Sequence, residues 1–98
     1  MYLIREVFQA KPGKAGALVK MFKQTQPHIE KQEGMKNMKI MTDAVGTYWT
    51  VVIESEVEDM GKFFDNLRGA TASDELKEIM KGYMDLVEGG HREIYKIE

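Results

Sequence analysis

Two histidines are the residues of this sequence best suited to proton transfer. His28 follows Pro27, and His91 stands two positions before Glu93. Imidazole changes protonation in the physiological range, so each is a candidate catalytic base if a substrate proton lies within reach. For His28 the alternative is a structural histidine at a helix kink. For His91 and Glu93 it is solvent contact or a cross-strand ion pair.

His91 and Glu93 share one face of a predicted strand and could together bind a metal. Zinc requires three or four protein ligands, and the sequence places no third ligand nearby. The chain also contains no cysteine, which excludes a thiolate nucleophile, a disulfide and a cysteine metal site. No nucleotide-binding or hydrolase motif is present. We therefore predict neither a metal nor a cofactor.

Four residues are candidates for ligand binding: Arg5, Trp49, Thr50 and Glu93. Trp49 could stack on an aromatic ligand, or it could anchor the core between helix and sheet. Arg5 could bind a carboxylate or phenolate, or it could pair with a neighbouring glutamate. Thr50 and Glu93, with either Arg5 or Glu6 according to the register of the first strand, would make one face of the sheet partly polar, which favours a cavity over a solid core.

Hydrophobic periodicity predicts the order β-α-β-β-α-β. The first half contains a strand over Tyr2–Ala10, a Lys11–Lys14 turn, a helix from Lys14 that Pro27 kinks or splits and Gly34 ends, and a strand over Lys36–Asp43. An Ala44–Thr47 hairpin then leads to a strand over Tyr48–Glu54.

The second half is predicted to begin with a capping box at Ser55–Glu58, which opens a helix. Gly69–Ala72 breaks this helix, and Ser73 caps a second segment whose apolar stripe runs from Leu76 to Val87. Gly89 and Gly90 stop that segment, and His91–Ile97 forms the last strand. Right-handed crossovers then give a ferredoxin-like α+β fold with a four-stranded antiparallel sheet in the order 4-1-3-2.

Apolar residues occur on both faces of the predicted strands. In the first strand, Leu3 and Val7 alternate with Ile4 and Phe8, whereas a sheet with one wet face should alternate apolar and polar residues. Both predicted helices lie on the same face. A second copy of the chain is the simplest cover for the other face, so we expect a homodimer.

Composition limits the partners and the location. The net charge is −2 and the chain shows no basic stripe, which argues against nucleic acid and anionic membranes as partners. Charge appears within the first five residues, and the longest uncharged stretch, Ala44–Ile53, is too short to span a bilayer. We expect one domain over residues 1–98 in the cytoplasm.

The chain resembles the dimeric α/β-barrel superfamily, most closely its small NIPSNAP-like and antibiotic-biosynthesis-monooxygenase-type members. The resemblance covers the whole chain in element order, and it is carried by Lys11–Lys14, the Tyr48–Val52 strand and the closing Gly89–Tyr95 segment. It implies a dimer with a ligand cleft between sheet and helices or within the barrel.

The resemblance also implies specific site residues. Trp49 agrees with a tryptophan near the substrate of the oxygenase branches, whereas the first strand lacks their asparagine and offers Arg5 and Gln9 instead. No histidine lies between Asp59 and Glu88, which argues against haem degradation.

Three functions follow as expectations. The first is a homodimer that binds a small, partly apolar or aromatic ligand. The second is a cofactor-independent monooxygenase of a phenolic or quinone-like substrate, and the third is a non-catalytic protein-interaction module.

Overall fold

A computed structural model describes residues 1–31, 35–70 and 74–98, without the side chains of residues 66–70. The elements are β1 (Tyr2–Ala10), α1 (Ala15–Glu30), β2 (Met35–Thr42), β3 (Thr50–Val57), α2 (Met60–Ala70), α3 (Asp74–Ile79), a 3-10 turn (Tyr83–Asp85) and β4 (Val87–Lys96). The strands form an antiparallel sheet in the order β2-β3-β1-β4, as the sequence predicted.

Strand β1 lies inside the sheet and presents different residues to its two faces. Ile4 and Ala10 are buried in clusters that include helix residues, and the direction of side chains alternates along a strand. We call this face the helix side. Arg5 and Val7 lie on the opposite face, which we call the open face because no helix of the described residues packs on it.

The hydrophobic core fills the space between α1 and the sheet. Leu18 and Phe22 of α1 are buried against Ala10 and Val51, and the rings of Phe8 and Phe22 lie 4.8 Å apart. A second buried cluster joins three residues of β1, β3 and α2: Ile4, Val57 and Phe63. Burial of large apolar side chains is the main force that holds helices on this face.

Helix α1 runs through Pro27 without a break into a second helix. Its buried residues are Ala15, Leu18, Phe22 and Thr25, which recur at three- and four-residue steps. Pro27 lies in the last turn, where the missing N–H costs one hydrogen bond and little packing. The predicted stop at Gly34 lies outside the described residues.

Strand β3 begins at Thr50, so the prediction that it includes Tyr48 and Trp49 was wrong. Both aromatic residues adopt left-handed backbone conformations, with φ of 64° and 56°. The Thr50 N–H donates to Asp43 Oδ1 at 3.0 Å, and this contact closes the loop. The aromatic pair is thereby placed in the loop between β2 and β3.

The capping box predicted at Ser55 is also wrong. Ser55 is buried inside β3, and α2 starts later, with Asp59 Oδ1 accepting a hydrogen bond from the Lys62 N–H at 3.2 Å. The two-residue period of Val51, Ile53, Ser55 and Val57 continues the strand past the serine. The pairing of β3 within the sheet therefore determines the conformation of Ser55, and the four-residue capping pattern does not.

The C-terminal helix is shorter than predicted. It ends at Ile79, and Gly82 turns the chain with a φ of 87° before the 3-10 turn. Val87, Gly89 and Gly90 belong to β4, so the glycine pair does not stop a helix. Helix α2 continues through Gly69 and Ala70, whereas the predicted break at Thr71 and Ala72 and the predicted cap Ser73 lie outside the described residues.

In the part of the chain that the structure describes, no helix is both long enough and apolar enough to cross a membrane.

Candidate functional site

The structure brings four of the six predicted site residues together on the open face. Arg5, Thr50, His91 and Glu93 line a shallow pocket of about 440 Å³, whose remaining walls include Val7, Val52 and Glu54. They come from β1, β3 and β4, which are neighbours in the sheet. The antiparallel register places Glu93 of β4 and Glu54 of β3 on either side of Arg5.

Arg5 is the centre of this polar cluster. Its Nε lies 3.1 Å from Glu54 Oε2, and its Nη1 lies 3.3 Å from Glu93 Oε1. The Nε atom is buried, and its approach to Glu54 is too poorly aligned to be a hydrogen bond. The alternative that Arg5 pairs with neighbouring glutamates is therefore present in the structure.

Glu93 also accepts from side chains of its own strand. His91 Nε2 lies 2.7 Å from Glu93 Oε2, and the Tyr95 hydroxyl donates to Glu93 Oε1 at 2.9 Å. These hydrogen bonds, and the nearby charge of Arg5, hold the pKa of Glu93 below its usual value. The same contact raises the pKa of Tyr95, because ionisation would place a phenolate beside the carboxylate.

Trp49 and His28 lie apart from this cluster. Trp49 is 43% exposed in the loop between β2 and β3 and contributes to neither of the two core clusters. His28 is on α1, where its Nδ1 lies 3.3 Å from Glu75 Oε2 of α3. Neither residue is among those that line the open-face pocket or the cleft described next.

A larger cavity lies on the helix side of the sheet, beside the packed core. This cleft has a volume of about 1010 Å³. Its walls are mainly apolar, and four aromatic rings contribute to them: Phe8, Phe22, Phe63 and Tyr83. Met38, Met80 and Met84 add flexible thioether side chains that can adapt to irregular shapes.

One ion pair interrupts the apolar wall of the cleft. Glu6 and Arg92 are opposite each other in the β1–β4 register, and Arg92 Nε donates to Glu6 Oε1. The Arg92 guanidinium carbon also lies 5.6 Å from the centre of the Phe63 ring. The Glu6 and Arg92 side chains are 24% and 34% exposed, so the pair forms a partly hydrated, charged section of a mainly apolar wall.

Tyr83 places a hydroxyl in the same cleft. Burial raises its pKa, and the charge of Glu6 raises it further, so the phenol stays neutral at neutral pH. The cleft thus offers a neutral phenol and an ion pair among apolar and aromatic surfaces.

Sequence reasoning did not select Glu6 and Arg92. Apolar residues alternate on both faces of β1, and a shift of one residue exchanges the faces. Arg5 and Glu6 were therefore equivalent candidates until the register was known. One signal in the sequence could have indicated this pair. Glu6 and Arg92 carry opposite charges, and the predicted topology makes their strands, β1 and β4, neighbours.

No group of three or more acidic or histidine side chains that could hold a metal ion occurs within residues 1–31, 35–70 and 74–98.

Comparison with known proteins supports the fold that the sequence resemblance implied. An uncharacterised NIPSNAP domain protein from Burkholderia xenovorans superposes with a TM-score of 0.82 at 14% identity, over 100% of this chain and 95% of that chain. A NIPSNAP family protein from Agrobacterium tumefaciens gives 0.82 at 9% identity, over 99% and 92% of the two chains.

A third similar structure is a protein from Nitrosomonas europaea, provisionally named an antibiotic biosynthesis monooxygenase. Its TM-score is 0.77 at 13% identity, over 99% of this chain and 98% of that chain. No protein-family profile and no curated protein matches the sequence. At these identities the likeness shows a shared fold, and it leaves the activity to be argued from the site.

Proposed function

We propose that this chain binds a small, partly apolar or aromatic ligand in the cleft between sheet and helices, and that it does so as a homodimer. The observation that supports ligand binding is the cleft itself, whose volume is about 1010 Å³. Ligand sites typically enclose several hundred to about 1,000 Å³, with mostly apolar walls and a few polar groups that fix orientation.

The shape of the lining favours a ligand with a ring. Phe8 and Phe22 are tilted against each other, and Tyr83 stands nearly perpendicular to Phe8 at a centroid distance of 6.0 Å. Aromatic groups prefer such tilted and edge-to-face neighbours, and a planar ligand could extend this arrangement. The methionines would then fill the gaps around its edge.

The Glu6–Arg92 pair would fix the orientation of the ligand. Arg92 uses Nε to bind Glu6, and no other Arg92 nitrogen has a hydrogen bond to a described residue. A hydroxyl or carbonyl oxygen of the ligand could accept from these nitrogens, and a hydroxyl could donate to the second oxygen of Glu6. Such polar contacts give specificity in a cleft that is otherwise apolar.

Isotope-labelled protein titrated with 1-naphthol and monitored by NMR tests this proposal. We expect saturable shifts at residues of the cleft such as Phe22 and Gly90. Met80→Trp, which fills the cleft, should weaken binding at least about tenfold, as the loss of a well-formed apolar contact implies. Val45→Trp is the matched control, because Val45 is 99% exposed in a loop.

Equal binding by the two tryptophan variants, or shifts restricted to the open face, would contradict the cleft as the site. A failure of naphthol and of a panel of related ring compounds to bind would favour the protein-interaction module over ligand binding.

Homodimerisation is supported by the composition of the open face. Leu3, Met41, Val7 and Val52 are all partly buried there, and no helix of the described residues covers them. A second sheet packed at about 10 Å would remove these apolar groups from water. Sedimentation velocity should show a dimer at micromolar concentration, and a monomer at all concentrations would refute this part of the proposal.

The second candidate function is cofactor-independent oxygenation of a phenolic or quinone-like substrate. The provisional name of the Nitrosomonas europaea protein is the observation that favours it. The deprotonated substrate would reduce O₂, one oxygen atom entering the product as a new carbonyl and the other leaving as water. Glu6, which lies in the cleft, would accept the substrate proton. The imidazoles of the bases predicted from the sequence lie elsewhere, since His28 contacts Glu75 and His91 contacts Glu93 of the open-face cluster.

Oxygen uptake in the presence of anthrone- and naphthol-type substrates distinguishes oxygenation from simple binding. Uptake that depends on the chain and falls in Glu6→Gln would support the enzyme. Uptake unchanged in His28→Ala and Trp49→Phe would remove those two residues from the mechanism, and binding without uptake would leave the first proposal alone.

A further inference from the structure

Ser55 of β3 is a buried polar residue in the wall of the cleft. It is 3% exposed, and it is one of the residues that line the cleft on the helix side of the sheet. Among the residues that the structure describes, its hydroxyl has no hydrogen-bond partner. Thr25, which is buried to the same extent, donates its hydroxyl proton to the Phe22 carbonyl oxygen at 2.8 Å. Buried polar groups almost always have a partner, so the cleft is where the partner of Ser55 is to be sought.

Packing does not explain a serine at this position. The residues of β3 on the helix side are Val51, Ile53, Ser55 and Val57, and Ser55 alone among them is polar. Its partner in the register is Ile4, which is 1% exposed. A branched apolar side chain would bury more apolar surface here and would suit a strand better. Positions where the residue contradicts its local environment are typical of functional sites.

The register places Ser55 near the ion pair of the cleft and separate from it. Glu6 is paired with Ile53 of β3 and with Arg92 of β4. Ser55 lies two positions after Ile53, so Ser55 and Glu6 are diagonal neighbours on adjacent strands. The α-carbons of such neighbours are about 7–8 Å apart, and Arg92 lies one further strand, about 4.8 Å, away. The wall therefore presents two polar positions, the ion pair and the hydroxyl.

Two polar positions at this spacing are complementary to a ligand with two polar substituents. A serine hydroxyl can both donate and accept, so it can bind a hydroxyl or a carbonyl oxygen. Oxygen atoms on the two rings of a fused bicyclic compound are separated by a distance comparable with the diagonal spacing. A flat ligand of that size can therefore contact the Glu6–Arg92 pair with one oxygen and Ser55 with the other.

We propose that the Ser55 hydroxyl binds a second polar substituent of the ligand, so that the cleft selects fused-ring compounds with a hydroxyl or carbonyl oxygen on each ring. This inference rests on the ligand binding proposed above and adds a residue that determines specificity. The bound ligand supplies the partner that the fold does not. An analogue without the second oxygen displaces water from the cleft and leaves the hydroxyl unpaired, which is the source of the selectivity.

Two ligands that differ by one hydroxyl test this inference. 1-Naphthol carries one hydroxyl, and 1,5-dihydroxynaphthalene carries a second hydroxyl on the other ring. Both are titrated under argon, which prevents their oxidation, into isotope-labelled wild type and Ser55→Ala, and NMR shifts give the dissociation constants. Thr42→Ala is the matched control, because it removes the hydroxyl of an exposed residue of the same sheet that does not line the cleft.

The measured quantity is the ratio of the two dissociation constants in each protein. The preference for 1,5-dihydroxynaphthalene should be at least about threefold greater in the wild type than in Ser55→Ala, as one net hydrogen bond implies. Thr42→Ala should show the ratio of the wild type. An equal ratio in the wild type and Ser55→Ala would overturn the inference and leave binding in the cleft intact. If neither compound nor related ring compounds bound to the wild type, the proposed function would fail and the inference with it.

Thermal stability separates a binding role of Ser55 from a structural one. Ser55→Ala removes a buried hydroxyl that has no partner in the described part of the fold, so its melting temperature should equal or exceed that of the wild type. A melting temperature several degrees lower would show that the hydroxyl stabilises the fold, and it would contradict the inference. Saturating 1,5-dihydroxynaphthalene should raise the melting temperature of the wild type more than that of Ser55→Ala.

Discussion

Gly90 of β4 lies against the backbone of β1 at Val7, and this contact gives a sharp prediction for stability. A Cβ atom at this position would lie 2.3 Å from the backbone carbonyl oxygen of Val7, roughly 1 Å closer than an ordinary contact. The obstacle is backbone in a central strand, so it cannot move aside as a flexible side chain could. Gly90→Ala therefore forces β4 away from β1.

The expected cost follows from the behaviour of overpacked interiors. Forcing one extra carbon into a well-packed site usually costs about 1–3 kcal/mol. For a domain of about 100 residues, each kcal/mol lowers the melting temperature by about 4–8 °C. Gly90→Ala should therefore melt several degrees below the wild type, and more if the strand pairing breaks.

Gly89 provides the matched control from the preceding position of the same strand. A Cβ there would meet nothing within 4 Å, and its backbone φ is not in the left-handed region. Gly89→Ala should raise the free energy of unfolding by no more than about 1 kcal/mol, because alanine reduces the conformational entropy of the unfolded chain. Thermal unfolding of the two variants by circular dichroism is the assay, and equal melting temperatures would refute the assignment of a close approach at Gly90.

Three further predictions concern the core, a helix cap and the polar cluster. Leu18→Ala should lower the unfolding free energy by about 2–5 kcal/mol in urea titrations, since Leu18 is fully buried; a loss below 1 kcal/mol would contradict its place in the core. Asp59→Ala should lower the free energy of unfolding by about 1 kcal/mol, because the Lys62 N–H loses its side-chain acceptor; Asp59→Asn should restore most of this stability. Glu93→Gln should return the pKa of Tyr95 toward 10.0, measured by tyrosinate absorbance, and an unchanged titration would exclude their contact.

The pKa of Glu93 also predicts a direction for acid unfolding. Its pKa is lower in the folded chain than the ordinary value of 4.5, so its contribution to stability is present above that value. The contribution is lost as the pH falls through the lowered folded pKa. Wild type should lose more stability than Glu93→Gln between neutral pH and pH values below 4.5, and parallel pH profiles would contradict this linkage.

The sequence determined the element order and the sheet topology well, because long segments carry those signals. The β1 boundaries agree with the prediction, and α1 follows the predicted turn as one helix. Short motifs were less reliable. Ser55 satisfied a capping pattern, but the alternation of β3 and its pairing with β1 kept it in the strand.

The site was predictable in part for the same reason. Arg5, Thr50, His91 and Glu93 share the open face because each belongs to a strand whose position the topology determines. Trp49 was misplaced by the wrong start of β3, since the left-handed turn at Tyr48 and Trp49 has no glycine to reveal it. Glu6 and Arg92 required the register, which depends on contacts between residues 86 positions apart.

The position of β1 between β3 and β4 also has a consequence for folding kinetics. Of the residue pairs that join β1 to its neighbouring strands, Gln9 and Thr50 are the closest in sequence. The other strand that pairs with β1 is β4, which begins only at Val87. The central strand therefore cannot gain a sheet partner until a long loop of chain has closed, and that closure carries an entropic cost before any contact compensates for it. Chains rich in such distant contacts fold more slowly than helical proteins of the same length. We expect the pairing of β1 with β3 to form in the transition state, with β4 joining afterwards.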